Sequence, residues 1–181
     1  MNFRLTTIIN ILRSCIILIK INSLIFYYSF FHKKKIIFIY HPSRSLTLNH
    51  KDYLNDLFND YGEDFFILNI HQVQNLKDKN FYFLNNNFFL KLVFGVNIFL
   101  STYISDRFPP RSIKIYIHHD IYDSPLVNDK KQIELFKRII KYDYIFLPNQ
   151  ISVNMFSNFF STNISEMYQN IPKLVEVGYP K

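Results

Sequence analysis

The sequence has 181 residues, 49% of them hydrophobic and 18% aromatic, with 20 Phe, 13 Tyr and no Trp. Such a length supports one domain with its own core, and such a composition excludes a disordered chain. The net charge of +7 suits an anionic partner, while the single cysteine, Cys15, excludes an internal disulfide framework and a cysteine-based metal cluster and fits a reducing, cytoplasmic location.

Residues Leu5 to Phe31 are mostly apolar and run into a basic cluster, His32-Lys33-Lys34-Lys35. The stretch is long enough to span a bilayer. Arg13 and Lys20 oppose that, at about 2.5–3.5 kcal/mol each near the centre of a span. Their spacing is close to two helical turns, so they share a face. Thr6, Asn10 and Ser23 fall within about 80° of it at about 100° per residue. Ile8, Leu12, Ile16, Leu18, Ile19, Leu24, Ile25 and Phe26 occupy the other faces. Residues 1–35 are therefore expected to form a basic amphipathic helix that lies in the interface of an anionic membrane. A spanning anchor and a helix packed on the body of the protein are the alternatives. A signal peptide is disfavoured, because no small-x-small cleavage site follows the apolar run.

From Ile36 the pattern becomes that of alternating strands and helices. Ile36 to Tyr40 reads as a buried strand, β-branched and aromatic. Asn49 reads as a helix N-cap with Asp52 in a box-like pair, and Gly62 as the helix stop. Asp64 to Ile70 reads as a second strand. Phe88 to Phe94 suits a short helix or a buried strand, and periodicity does not choose. Val96 to Tyr103 and Ser112 to Asp120 read as strands, separated by a turn-rich loop at Ser105 to Pro110. Asn128 or Asp129 caps a helix through Lys141, with Lys137, Arg138 and Lys141 at its carboxyl end, where the dipole favours cations. Tyr142 to Pro148 is a strand, Ser152 to Phe160 a helix with Val153, Phe156 and Phe160 inward, and Lys173 to Val177 a last strand. This alternation predicts an α/β fold with a mainly parallel, doubly wound sheet. With three glycines, Gly62, Gly95 and Gly178, neither a dinucleotide-binding nor a P-loop glycine motif is present. Nucleic acid is not expected as a partner, because no zinc-finger spacing or RNA-binding aromatic signature accompanies the basic residues. No metal site or cofactor is expected.

The candidate site is the end of the strand Ile113 to Ile117, which runs into His118, His119 and Asp120. In parallel α/β sheets ligands bind beyond the carboxyl ends of the strands. Side chains alternate along a strand, so the two histidines leave on opposite faces. His118 continues the face of Lys114 and Tyr116, which points to His119 as the cleft residue. In the bland alternative one histidine packs under a loop and the other is solvated.

Taken together, V-N-I-F-L-S-T (96–102), I-K-I-Y-I-H-H-D (113–120), Y-D-Y-I-F-L-P-N (142–149) and V-E-V-G-Y-P-K (175–181) resemble the amino-terminal domain of the CDP-glycerol glycerophosphotransferase family, the teichoic acid primases and polymerases. The similarity covers roughly residues 36–181, and the order and spacing of the motifs carry it. The resemblance implies a single Rossmann-like domain, one half of a GT-B type fold, at the cytoplasmic face of the cell membrane. It implies a peripheral enzyme of cell-envelope polymer synthesis. In the family a strand-end histidine acts as general base on the acceptor hydroxyl, and His119 is the matching position. Asp120 stands where the family usually has glycine, a departure that bears on the acceptor pocket. Asp120 or Asp123 is placed to orient the imidazole. Lys114 and Arg107 are the few cations available to a transferred phosphoryl group, and His118 is a further substrate-binding candidate.

The family's donor pocket is built mainly by a second domain, which should begin where Gly178-Tyr179-Pro180-Lys181 ends the sequence. The expectation is an acceptor-side half that is inactive alone. Its expected partners are an anionic membrane surface, a polyol or sugar acceptor and a chain carrying the second Rossmann-like domain. Two other readings stand beside it: the same half of a GT-B glycosyltransferase of capsule or lipopolysaccharide synthesis, since fold alone does not choose the donor, and a non-catalytic membrane- or partner-binding module.

Overall fold

The computed structural model describes residues 2–41, 64–71, 81–83, 87–118, 132–163 and 171–178. In chain order the elements are α1 (Asn2–Phe30), β1 (Lys35–His41), β2 (Phe65–His71), β3 (Phe81–Phe83), a 3-10 helix (Asn87–Leu92), β4 (Ile98–Ser101), β5 (Ile113–Ile117), α2 (Gln132–Ile139), β6 (Tyr144–Leu147), α3 (Gln150–Asn163) and β7 (Lys173–Glu176). The fold is α/β with a parallel sheet, Rossmann-like in build. The chain forms two compact units, Met1–Phe99 with Arg107–Ser112, and Leu100–Asp106 with Ile113–Lys181.

In the first unit the strand order is β3-β2-β1-β4. β1 and β2 run parallel in register from Lys35 against Phe65 to His41 against His71, and β3 pairs parallel with the end of β2. Ile36 to Tyr40 are all buried. A central strand covered on both faces needs such an uninterrupted apolar run. Asn97 sets the approach to β4. Its side-chain oxygen accepts from Ile36 N–H at 2.7 Å while its own N–H donates to Ile36 O at 3.0 Å.

α1 lies on this unit and has two apolar faces. Ser14, Ile21 and Ile25 are buried, and the Tyr28 ring stacks on Phe66 with centroids 3.7 Å apart. Ile8, Leu12, Ile16, Ile19, Phe26 and Phe30 are exposed on the other side. Lys33, at φ 53°, ends the helix in the left-handed conformation, and Lys34 N–H closes back on Tyr28 O at 3.0 Å. Of the three possibilities left open for this segment, packing on the body describes its inner face.

In the second unit the order is β5-β6-β7, with β5–β6 and β6–β7 parallel. α2 and α3 contribute Phe136, Ile139, Phe156, Phe159 and Phe160 to its core. Asn149 caps α3, its side-chain oxygen accepting from Ser152 N–H at 2.8 Å.

Several boundaries differ from expectation. The strand expected over Val96 to Tyr103 is only Ile98–Ser101. It is shortened because Asn97 puts its side chain into the ladder and Ser101 turns back on Tyr103, its hydroxyl donating to Tyr103 O at 2.6 Å. The ambiguous Phe88 to Phe94 run becomes the 3-10 helix. β3 was not foreseen, since three residues carry no legible alternation. α3 begins two residues earlier than its apolar pattern, at the residue after its cap. The helix expected between Asn49 and Gly62 and the caps at Asn128 or Asp129 lie outside the described residues.

Candidate functional site

Ile115 and Tyr116 of β5 are buried, and the strand runs straight into His118, whose N–H donates to Phe146 O at 2.9 Å. The His118 side chain is enclosed, with the residue 4% exposed. Its Nδ1 lies 3.4 Å from the Tyr116 hydroxyl, and its ring stands edge-on to Phe156 with centroids 5.2 Å apart. A 3.4 Å hydrogen bond is long, so aromatic packing carries most of the contact. His118 thus shares the face of Tyr116, as alternation requires, and caps the aromatic cluster of Phe136, Phe156, Phe159 and Phe160. His119, Asp120 and Asp123 lie outside the described residues.

Lys114 sits at the other end of β5, about 13 Å from His118 at the usual rise per strand residue. Asp143 holds it there. Lys114 N–H donates to Asp143 Oδ2 at 2.7 Å, the ammonium lies 3.3 Å from the same oxygen, and Asp143 N–H donates to Lys114 O at 2.9 Å. This contact registers the amino-terminal ends of β5 and β6, the edge opposite to the one where parallel sheets bind ligands. Arg107 belongs to the first unit, its guanidinium 5.3 Å from the centroid of the Phe88 ring.

The carboxyl edge of the second unit carries a group that sequence reasoning missed. Thr102 is the first residue past β4, as His118 is the first past β5. It is buried, and its hydroxyl has no hydrogen-bond partner among the described residues. A buried orphan hydroxyl costs about 1–3 kcal/mol, and native structures carry few of them. Nothing in S-T-Y marked it, because the signal is the absence of a neighbour. The following backbone is fixed. Tyr142 Oη donates to Tyr103 O at 3.0 Å and accepts from Ser105 N–H at 2.8 Å. The Arg138 guanidinium donates to Ile104 O and lies 5.7 Å from the Tyr103 ring centroid. Arg138, placed by the sequence at a helix end to meet the dipole, instead holds this segment.

In the first unit an open depression of about 550 Å³ is lined by Phe94, Gly95, Val96, Asn97, Pro110 and Arg111. It lies on the approach to β4, not beyond a strand's carboxyl end. Among the described residues no group of three or more His, Cys, Asp or Glu is placed to hold a metal.

No protein-family model, curated protein or solved structure matches the chain.

Proposed function

We propose that the chain is the acceptor-side domain of a transferase of cell-surface polymer synthesis, working at the cytoplasmic face of a membrane with a second Rossmann-like domain that binds the donor. In the reaction an acceptor hydroxyl loses its proton to His119 and attacks the phosphorus of the glycerol phosphate group of CDP-glycerol. The phosphorus–oxygen bond to CMP breaks, and CMP leaves with the electron pair. A histidine near its ordinary pKa suits a general base at neutral pH. Charge on the transferred group needs cations or hydrogen-bond donors, and the second domain supplies most of them. One observation supports the reading above the others: the four family-like motifs stand in order, and the one with two histidines leads β5 to its carboxyl edge. A non-catalytic membrane-binding module is the second reading, favoured by the exposed apolar face of α1.

The test is turnover of CDP-glycerol with a hydroxyl acceptor by the chain alone and after fusion to the donor-binding domain of a complete enzyme. The chain alone is expected to be inactive and the fusion active. His119→Ala should lower turnover of the fusion by about 10²–10⁴-fold. His118→Ala should instead lower stability, by about 2–3 kcal/mol, since it removes a buried ring. A folded His119→Ala fusion with near wild-type turnover overturns the assignment of the base, and an inactive fusion favours the module.

A further inference from the structure

α1 presents an exposed stripe that its own unit does not cover. At about 100° per residue, Ile8, Leu12, Ile19, Phe26 and Phe30 fall within about 40° of arc, and all are exposed. Ile9, Ile16 and Tyr27 widen the stripe on the side bordered by Arg13 and Lys20. On the other side Asn22 holds the segment after the 3-10 helix. Its Nδ2 donates to Leu92 O at 3.0 Å, and its Oδ1 accepts from Phe94 N–H at 2.9 Å. Leu92 is 38% and Phe94 58% exposed. We propose that the outer face of α1, with Leu92 and Phe94, is one docking surface by which the first unit lies on an anionic lipid bilayer. This deepens the membrane part of the proposed function and needs none of its transferase chemistry.

Charge selects the occupant. The first 51 residues hold eight Lys and Arg and no Asp or Glu, whereas the remaining 130 hold 13 and 14. The whole positive excess belongs to the segment containing α1. Lys33, Lys34 and Lys35 follow the end of the stripe, and exposed Lys91 and Arg111 stand in the Leu92 and Phe94 region. A second copy would bring two cationic rims together, and like charges across an interface are costly. An anionic surface attracts them, by roughly a fivefold gain in affinity per basic residue. The geometry favours lying over spanning. Ile21 and Ile25 are 0% and 2% exposed, and a Cβ on Gly95 would stand 2.9 Å from Ile25 Cγ2. Protein covers α1 at Ser14, Ile21 and Ile25, with Tyr28 stacked on Phe66, and leaves the outer face from Ile8 to Phe30, about 33 Å long at about 1.5 Å per residue, for lipid.

The experiment uses the full chain and vesicles of phosphatidylcholine with or without phosphatidylglycerol, read by co-flotation. In a Cys15→Ser background, an environment-sensitive fluorophore is placed at Ile16→Cys or Phe94→Cys. The expected result is salt-sensitive binding to the mixed vesicles, with the emission of both labels shifted to the blue. Replacing Lys33, Lys34 and Lys35 together by Gln should weaken binding on the order of a hundredfold. Phe94→Ser should weaken it roughly tenfold or more, with the circular dichroism spectrum unchanged. Absence of binding by the wild-type chain overturns both this surface and the membrane part of the proposed function. Binding with a silent Phe94 label and an unaffected Phe94→Ser variant overturns only the surface. Lipid-free self-association that Ile16→Ser with Phe30→Ser abolishes would assign the stripe to a second copy and overturn it too.

Discussion

Asn97 and Asp143 perform the same task in different units. Each stands one residue before a strand, accepts a neighbouring strand's N–H on its side chain and donates its own N–H back. A short polar side chain that mimics a peptide carbonyl sets the register of a parallel pair where no turn can do so. At Asp143 the acceptor is a carboxylate, and hydrogen bonds to charged groups are the stronger class. Asp143→Ala should lower stability by about 1–2 kcal/mol. Asp143→Asn keeps a neutral acceptor for Lys114 N–H and loses the acceptor's charge with the exposed ion pair, so its cost should be smaller, about 1 kcal/mol or less. Urea denaturation of the two variants checks the pair, and equal losses would make the ion pair, not the backbone contact, the important element.

At the scale of elements, α1 is held by contacts that periodicity does not contain. Gly95 is one of them. Its φ of 79° lies in the left-handed region, and its missing Cβ leaves room for Ile25. Gly95→Ala should therefore destabilise through strain and a clash, by about 1–3 kcal/mol. Ile25→Ala removes the Cγ2 methyl that the new Cβ would meet and should recover part of the clash but none of the strain. A double-mutant cycle by thermal unfolding measures the share of each. The 3-10 helix follows the same logic, because Asn22 of α1 organises the backbone from Leu92 to Phe94 as a helix cap would.

At the scale of the molecule, α1 is part of the first unit rather than an appendage to it. Removing residues 1–35 would uncover the surface beneath Ile21, Ile25 and Tyr28, including the Phe66 ring. Such a truncation should yield insoluble protein or one that binds a hydrophobic dye, since exposed apolar patches of this kind drive aggregation. A soluble, cooperatively melting truncation would return residues 1–35 to the status of a detachable helix.

The alternation of elements, and with it the α/β fold, was legible in the sequence. β1, β5 and β6 are short apolar runs rich in β-branched and aromatic residues, a composition that suits burial within a parallel sheet. That His118 shares the face of Tyr116 was legible too, through strand alternation, but its enclosure was not, because it depends on the Phe156 ring of a later helix. Tertiary structure alone decided which apolar face of α1 turns inward, since a helix pattern reports the directions of its apolar side chains and not what covers them. It also decided the backbone roles of Asn97, Asp143 and Arg138 and the orphan hydroxyl of Thr102. Each of these depends on a partner 29 to 61 residues away in sequence, or on the lack of one, and local propensity carries no term for so distant a neighbour.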